Sequence, residues 1–410
     1  MNNTELRPGG GFIGNFGLIE FEAGKLKNIT VEDIYTIDGQ LQEKIEPPRQ
    51  LTEKLGVDRF YLRDSNWSSD FTLNAATARD FYKKETGQDV TGVIALDLTF
   101  VQEILKSTGG IKLGDYNETI TADNLFEKGE YASEIGFFPG STQKRDFFGA
   151  LSRSLIAELL DSQSISRLSL KLFETVQNAL REKHVLASFD QPSLASYVTT
   201  HGFANQLPPA NFNFTDSGET GDFLSLTEAN LGANKVNRFL DRKIVYEMTV
   251  GRDADLVAKL TVAYTNNSRA ETWPQGKYVN FLRVNVPAGS DLFAYQNADI
   301  KDPKSPEITT SGGLTTFAAY VDVPVGSTRE VIFRYRIPKN IKLETAPTYS
   351  LYVQKQPGTG ADPFTFTFHL PNYLAATKLN GQNLNPPTND LVDETTLSTD
   401  KQFTVGIKQK

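Results

Sequence analysis

Residues 243–262 read Lys243-Ile244-Val245-Tyr246-Glu247-Met248-Thr249-Val250-Gly251-Arg252-Asp253-Ala254-Asp255-Leu256-Val257-Ala258-Lys259-Leu260-Thr261-Val262. Ile244, Tyr246, Met248 and Val250 fall at every second position, and so do Leu256, Ala258, Leu260 and Val262. A period of two sends alternate side chains to opposite faces of a strand, and the turn Gly251-Arg252-Asp253 joins two such strands. Similar runs recur at 278–286, 314–323, 330–337, 349–354, 364–370 and 402–407, with turn residues between them. Short strands at this spacing predict an all-β antiparallel sandwich over 236–410. No catalytic cluster stands out there, so a structural or docking role is the expectation.

Upstream of this region the pattern changes. The run Val90-Thr91-Gly92-Val93-Ile94-Ala95-Leu96-Asp97 is almost continuously apolar, which predicts a strand buried on both faces. A helix follows over 98–107, with Asp97 as its N-cap and Gly109-Gly110 as its stop. Helical spacing predicts further helices over 74–85, 141–160, 165–185 and 192–200. Strands alternating with helices predict an α/β domain over 1–235.

With 410 residues, 39% hydrophobic and 22% charged, the chain is globular and long enough for two or three domains. A net charge of −8 excludes nucleic-acid binding by bulk electrostatics. The absence of cysteine excludes disulfides, thiolate metal sites and cysteine nucleophiles. The three histidines, His184, His201 and His369, are far apart in sequence and form no ligand pair.

Three loops carry candidate chemistry. The first is Asn2-Asn3-Thr4-Glu5-Leu6-Arg7-Pro8-Gly9-Gly10-Gly11. Consecutive glycines cost backbone entropy, so such a loop is kept where something must approach its main chain. Arg7 there reads either as a clamp for phosphate or carboxylate, helped by Asn3 and Glu5, or as a partner of a local acid. The second loop holds Arg63, Asp64, Asn66 and Asp70. Asp64 and Asp70 are candidate Mg²⁺ ligands or general bases, although Asp and Asn in such loops also make turns and caps. The third, with Asn234 and Lys235, follows a short strand at 223–226. Lys144 and Arg145 add two cations where the helix dipole favours anions. Arg7, Arg63, Asp64 and Asn66 are expected to converge. Gly9, Gly11 and Gly14 fit G-x-G-x-x-G, but they lead into a strand and not a helix, so the nucleotide reading is set aside.

Four stretches, NNTELRPGGGFIGNFG (2–17), LRDSNWSSDF (62–71), TGVIALDLTFVQEILKSTGGIKL (91–113) and EANLGANK (228–235), resemble a family of unknown function found in bacterial envelope proteins, over about residues 1–240. Members commonly follow a transmembrane helix, which implies an extracytoplasmic, membrane-anchored protein. A start so close to the loop agrees with a fragment whose preceding strand and anchor lie upstream. The order of elements is also distantly similar to LytR–CpsA–Psr proteins. Those transfer glycopolymers from polyprenyl pyrophosphate to peptidoglycan with Mg²⁺, on a mixed sheet flanked by helices. The resemblance rests on the loop around Arg7, the strand–acid–helix–Gly-Gly unit, and the basic pair opening QKRDFFGALSRSLIAELL (143–160). Gly10-Gly11-Phe12-Ile13 replaces that family's second arginine and metal-binding acid, so the metal role would pass to Asp64 or Asp70. Two functions follow as expectations. One is an envelope phosphotransferase, with Arg7, Lys144 and Arg145 on the pyrophosphate. The other is a non-catalytic envelope binding or scaffold protein that recognises a glycan or lipid head group.

Overall fold

The computed structural model describes residues 1–114, 117–130, 143–160, 162–208, 220–297, 306–343 and 347–410. Side chains at 130, 143–146, 156–160 and 162–169 lie outside that description. The chain forms two compact units. Unit one is Met1–Asn3, Gly9–Pro48 and Val57–Gln206; unit two is Thr4–Pro8, Arg49–Gly56 and Leu207–Lys410.

In unit one, β1 (Asn15–Glu22) and β2 (Lys25–Asp33) form a ribbon. Its turn, Ala23-Gly24, takes positive φ at both residues, as a tight hairpin requires. Asp33 then caps α1 (Ile34–Asp38) by accepting from the Tyr35 N–H, which ends the strand there. The helix α2 (Arg49–Leu55) belongs to unit two. A 3₁₀ turn (Leu62–Asp64) precedes α3 (Phe71–Thr86), which Gly87 ends in the left-handed region. Next come β3 (Gly92–Leu96), α4 (Leu98–Thr108), β4 (Ile111–Leu113), β5 (Glu118–Ile120), α5 (Leu125–Glu130), α6 (Gln143–Leu160), α7 (Ser162–Arg181), β6 (Val185–Phe189) and α8 (Pro192–Thr200).

Two expectations for this unit are corrected. Among the described residues its strands pair only two by two and antiparallel, as β1-β2, β3-β6 and β4-β5, and assemble no mixed sheet. Accordingly β3 is buried on one face only. Val93 and Ala95 pack with Phe71 and Ala75 of α3 and Leu186 of β6, while Ile94 and Leu96 remain 50% and 42% exposed. The helix expected over 165–185 also stops short. Lys183 at φ 61 breaks it, and β6 follows.

In unit two, β7 (Thr220–Asn230) leads through a 3₁₀ turn (Val236–Phe239) to β8 (Leu240–Val250) and β9 (Asp255–Asn266). Then follow β10 (Tyr278–Pro287), β11 (Asp291–Asn297), β12 (Glu307–Ser311), β13 (Leu314–Val323) and β14 (Thr328–Asn340). The chain ends with β15 (Thr348–Gln354), β16 (Asp362–His369), β17 (Leu374–Leu379), β18 (Gln382–Thr388), β19 (Asp390–Leu397) and β20 (Lys401–Gln409). Among the described residues these make an eight-stranded sheet, β12-β13-β10-β7-β15-β20-β17-β18, and a six-stranded sheet, β11-β14-β9-β8-β16-β19. Pairing is antiparallel except for β7 with β15 and β8 with β16. The alternating set Ile244, Tyr246, Met248, Leu256, Ala258, Leu260 and Val262 is fully buried in one core fed by both sheets. The expected boundary at 235/236 would separate β7 from this sheet. In fact β7 bonds to β10 and β15, and the loop over 231–235 is part of a β7–β8 connection.

Two acids of β7 point into this core. Glu228 Oε1 accepts from Arg242 Nη1 at 2.6 Å and from the Tyr264 hydroxyl at 2.8 Å, and Oε2 accepts from the Tyr278 hydroxyl at 2.7 Å. Arg242 also donates to Asp362 at 2.6 Å. Asp222 Oδ2 accepts from the Tyr246 and Tyr349 hydroxyls, both at 2.5 Å. Burial pushes the Asp222 carboxyl up to about 6, and the tyrosine hydrogen bonds oppose the shift. Removing one member of a buried ion pair leaves the other charge uncompensated. Arg242→Met should therefore lower unfolding free energy by about 3–5 kcal/mol, read from urea denaturation. A change within about 0.5 kcal/mol would show that Glu228 does not depend on Arg242.

Candidate functional site

The segment Thr4–Pro8 is built into unit two. The Leu6 N–H donates to Asn237 Oδ1 at 3.1 Å, the Asn237 N–H to Thr4 O at 3.2 Å, and the Asn230 N–H to Leu6 O at 2.9 Å. Gln356 Nε2 donates to Arg7 O at 3.3 Å and to Glu228 O at 2.8 Å. These bonds fix the backbone and bring three charged side chains together. Glu5 Oε1 accepts from Arg7 Nη2 at 2.8 Å, and Glu5 Oε2 accepts from Lys235 Nζ at 2.6 Å. Arg7 also donates to the main-chain oxygen of Asn230. Glu5, Arg7 and Lys235 are 7%, 3% and 7% exposed, so both cations are held on the one carboxylate away from bulk water, and the trio keeps one net positive charge. Asn234 is likewise turned inward, accepting from Asn230 Nδ2 and donating to Lys277 O at 2.9 Å. Arg7 thus takes the second of its two sequence readings, as partner of a local acid. Lys235 reaches that acid from 230 residues away.

The glycines that follow are in unit one, and something does approach their main chain: the protein itself. Gly9 N–H donates to Asn66 O at 3.0 Å, and Asn66 Nδ2 donates to Gly11 O at 2.6 Å. A Cβ on Gly9 would stand 2.8 Å from Asn66 Cβ and 3.0 Å from Asn74 Nδ2. One on Gly11, at φ 152, would stand 2.5 Å from the Asn2 carbonyl. Asn3 Nδ2 donates to the Thr99 hydroxyl at 2.9 Å. Asp70 is the N-cap of α3, accepting from the N–H and hydroxyl of Thr72 at 2.8 and 2.6 Å.

Arg63 and Asp64 do meet, in company the sequence did not indicate. Arg63 Nη1 donates to Asp38 Oδ2 at 2.8 Å, and its Nε lies 3.6 Å from Asp64 Oδ2. Its guanidinium stands over the rings of Tyr61 and Tyr35, at 4.2 and 5.3 Å. Glu85 of α3 is buried beside them. Burial pushes the Asp38 carboxyl up to about 6, against the pull of Arg63. Burial, then the charge of Asp38, pushes Glu85 up to about 7. A third missed residue is His184, whose Nδ1 lies 2.6 Å from Asp97 Oδ2 while Asp97 Oδ1 caps α4. The two are 87 residues apart, so spacing gave no signal.

The residues chosen from sequence are therefore divided. Glu5, Arg7, Asn234 and Lys235 belong to unit two, and Asn3, Arg63, Asp64, Asn66 and Asp70 to unit one. Lys144 and Arg145 open α6, with side chains outside the described residues. Mg²⁺ would need several hard oxygen donors aimed at one point. Among the described residues no three His, Asp or Glu side chains gather in that way, and Asp70 is committed to its cap. The set does not fit the ion. Nor, among the described residues, is any helix long and apolar enough to cross a membrane.

Residues 1–131 match a family described as "Protein of unknown function (DUF4012)". That stretch holds three of the four motifs, and EANLGANK lies beyond it. No curated protein matches the chain. Among solved structures it is similar to a putative nutrient binding protein of Legionella pneumophila, at 8% identity and TM-score 0.26, over 46% of this chain and 72% of that one. It is also similar to an M1 zinc metallopeptidase from Deinococcus radiodurans, at 14% identity and TM-score 0.21, over 41% of this chain and 42% of that one. Likenesses this low do not bear on fold or chemistry.

If the loop's glycines serve the chain's own packing, Gly9→Ala should destabilise the protein by about 1–3 kcal/mol, because Asn66 and Asn74 must move. Gly24→Ala, with open space around it, should cost only the left-handed backbone strain, about 1–2 kcal/mol. Thermal and urea unfolding of both variants checks this. A Gly9→Ala protein as stable as the parent would mean that the glycine is there for a visiting ligand.

Proposed function

We propose that the chain acts as a non-catalytic protein of the bacterial cell envelope, a binding or scaffold component for a glycan or lipid head group. One observation carries the reading. Arg7, the one cation of the expected pyrophosphate clamp (Arg7, Lys144 and Arg145) whose side chain is described, is held with Lys235 on the buried carboxylate of Glu5. A clamp must present accessible donors to its anion, whereas this guanidinium is buried among the chain's own acceptors. Asp70 as a helix cap and Asp64 beside Arg63 support the same reading, because both carboxylates already have partners within the fold. The envelope setting rests on the four motifs, of which three lie in the family match.

The likeness to LytR–CpsA–Psr transferases has its best support in β3, Asp97, α4 and Gly109-Gly110, which form in the expected order. Asp97 is engaged there with the α4 backbone and His184, which supports a structural use of that unit.

The test is incubation of the full chain with a polyprenyl pyrophosphate and Mg²⁺, followed by native mass spectrometry and assay for released phosphate, for the parent and Arg7→Ala. The proposal expects no turnover in either protein. It expects Arg7→Ala to lose about 1.5–3 kcal/mol of stability through the lost hydrogen bonds of Arg7 to Glu5 and the Asn230 carbonyl, with Lys235 still on Glu5. Lipid cleavage by the parent, absent in an Arg7→Ala protein that remains folded, would overturn it.

A further inference from the structure

Unit one buries three carboxylates around one guanidinium. Asp38 is the last residue of α1, Glu85 lies in the last turn of α3, and Asp64 closes the 3₁₀ turn between them in sequence. A helix C-terminus carries partial negative charge, so both helical acids sit at the unfavourable end. All three are nearly inaccessible: Asp38 is 3%, Asp64 4% and Glu85 6% exposed.

The single arginine does not reach all of them. Its edges serve Asp38 at 2.8 Å and Asp64 at 3.6 Å, and Tyr61 and Tyr35 lie against the guanidinium. Both oxygens of Glu85, and Oδ1 of Asp38, are buried without a hydrogen-bond donor. Neighbouring lysines are turned elsewhere. Lys84 pairs with Asp80 of its own helix and Glu43 of the loop after α1, and Lys83 pairs with Asp89. Glu85 therefore faces Asp38 from α1 and Arg63 from the 3₁₀ turn. Three full negative charges against one positive charge, with two carboxylates short of donors, is a costly state in a low-dielectric site. The inexpensive remedy is a proton.

We propose that Asp38 and Glu85 hold one proton between them in the folded protein near neutral pH, and that its release to solvent loosens the packing of α1 on α3, making this cluster a pH-sensitive latch. The proton removes one of the two charges, so the pair carries one negative charge beside Arg63. When the proton leaves, two like charges share a dry site and the two helix ends repel. The observed shifts run the same way, with Asp38 pushed up to about 6 and Glu85 to about 7. These are properties of the coupled pair and not of either residue alone.

The sign of the pH effect follows. Both acids titrate higher in the folded than in the unfolded chain, so the folded state binds more protons between their ordinary values and about 7. The stabilising contribution is full at the acidic end of that window. It is lost progressively as pH rises and is gone above about 7.

Urea denaturation of the full-length parent and of Glu85→Gln, from about pH 5 to about pH 8, tests the proposal. Glutamine keeps the shape and supplies a permanent donor. The parent should lose stability relative to Glu85→Gln as pH rises, with the ratio of their folding constants changing up to about tenfold per pH unit within the window. Asp222, a further buried acid with a raised pKa among the described residues, is common to both proteins and cancels. Should Glu85→Gln fail to fold, carbon NMR of the Glu85 carboxyl in the parent gives the midpoint directly, and hydrogen exchange of α1 amides reports the loosening. Parallel stability profiles, a midpoint at the ordinary glutamate value, or α1 exchange that rises with pH only as free amides do would each overturn the proposal.

Discussion

A carboxylate taken out of water must be met by positive charge, and Glu5 is the carboxylate on which this chain's N-terminal loop depends. Arg7 meets it from two residues away and Lys235 from the far side of the sequence. The other contacts of the segment follow from that pairing. Holding Glu5 against Lys235 brings the loop backbone to Asn230, Asn237 and Gln356, whose groups satisfy its carbonyls and N–H groups. The sandwich is thus built from three separate stretches, Thr4–Pro8, Arg49–Gly56 and Leu207–Lys410. Arg49–Gly56 supplies α2, where the Tyr320 hydroxyl of β13 donates to Glu53 and Lys54 stands over the Tyr320 ring.

The strands most legible in the sequence were those with one face in the core. Alternation marked β8 and β9 because every second side chain is buried while its neighbours are partly wet. It failed at β7, where all eleven residues are buried and the inward face includes Asp222 and Glu228. Only 223–226 looked like strand, since an acid reads as surface unless its tyrosine and arginine partners are known. β6 was hidden in a different way. Its residues prolong the apolar rhythm of α7, and the break at Lys183 is a backbone event in a residue type that rarely takes positive φ. The half-buried β3 was misread because an apolar run does not tell how many layers will cover it.

The loops show both the reach and the limit of reading polar residues. Three glycines beside an arginine correctly signalled a close approach to the main chain. What approaches the glycines is Asn66, 55 residues on from Gly11, where no spacing rule applies. Arg63 and Asp64 were found because they are adjacent. Asp38 and Glu85 were not, because an acid at the end of an element looks solvated until the packing of α1 on α3 is known. Function then depends on which charges remain available to a ligand, and that follows from long-range pairing.

A double-mutant cycle on Glu5→Gln and Lys235→Met, followed by urea denaturation of the full chain, tests most directly whether this loop is structural. The account expects each single change to destabilise and the pair to couple by about 1–3 kcal/mol, since Glu5→Gln strands two buried cations and Lys235→Met leaves Glu5 to Arg7 alone. Single costs within about 0.5 kcal/mol that simply add would contradict it. That result would return Arg7 and Lys235 to the role of waiting for an anion from outside.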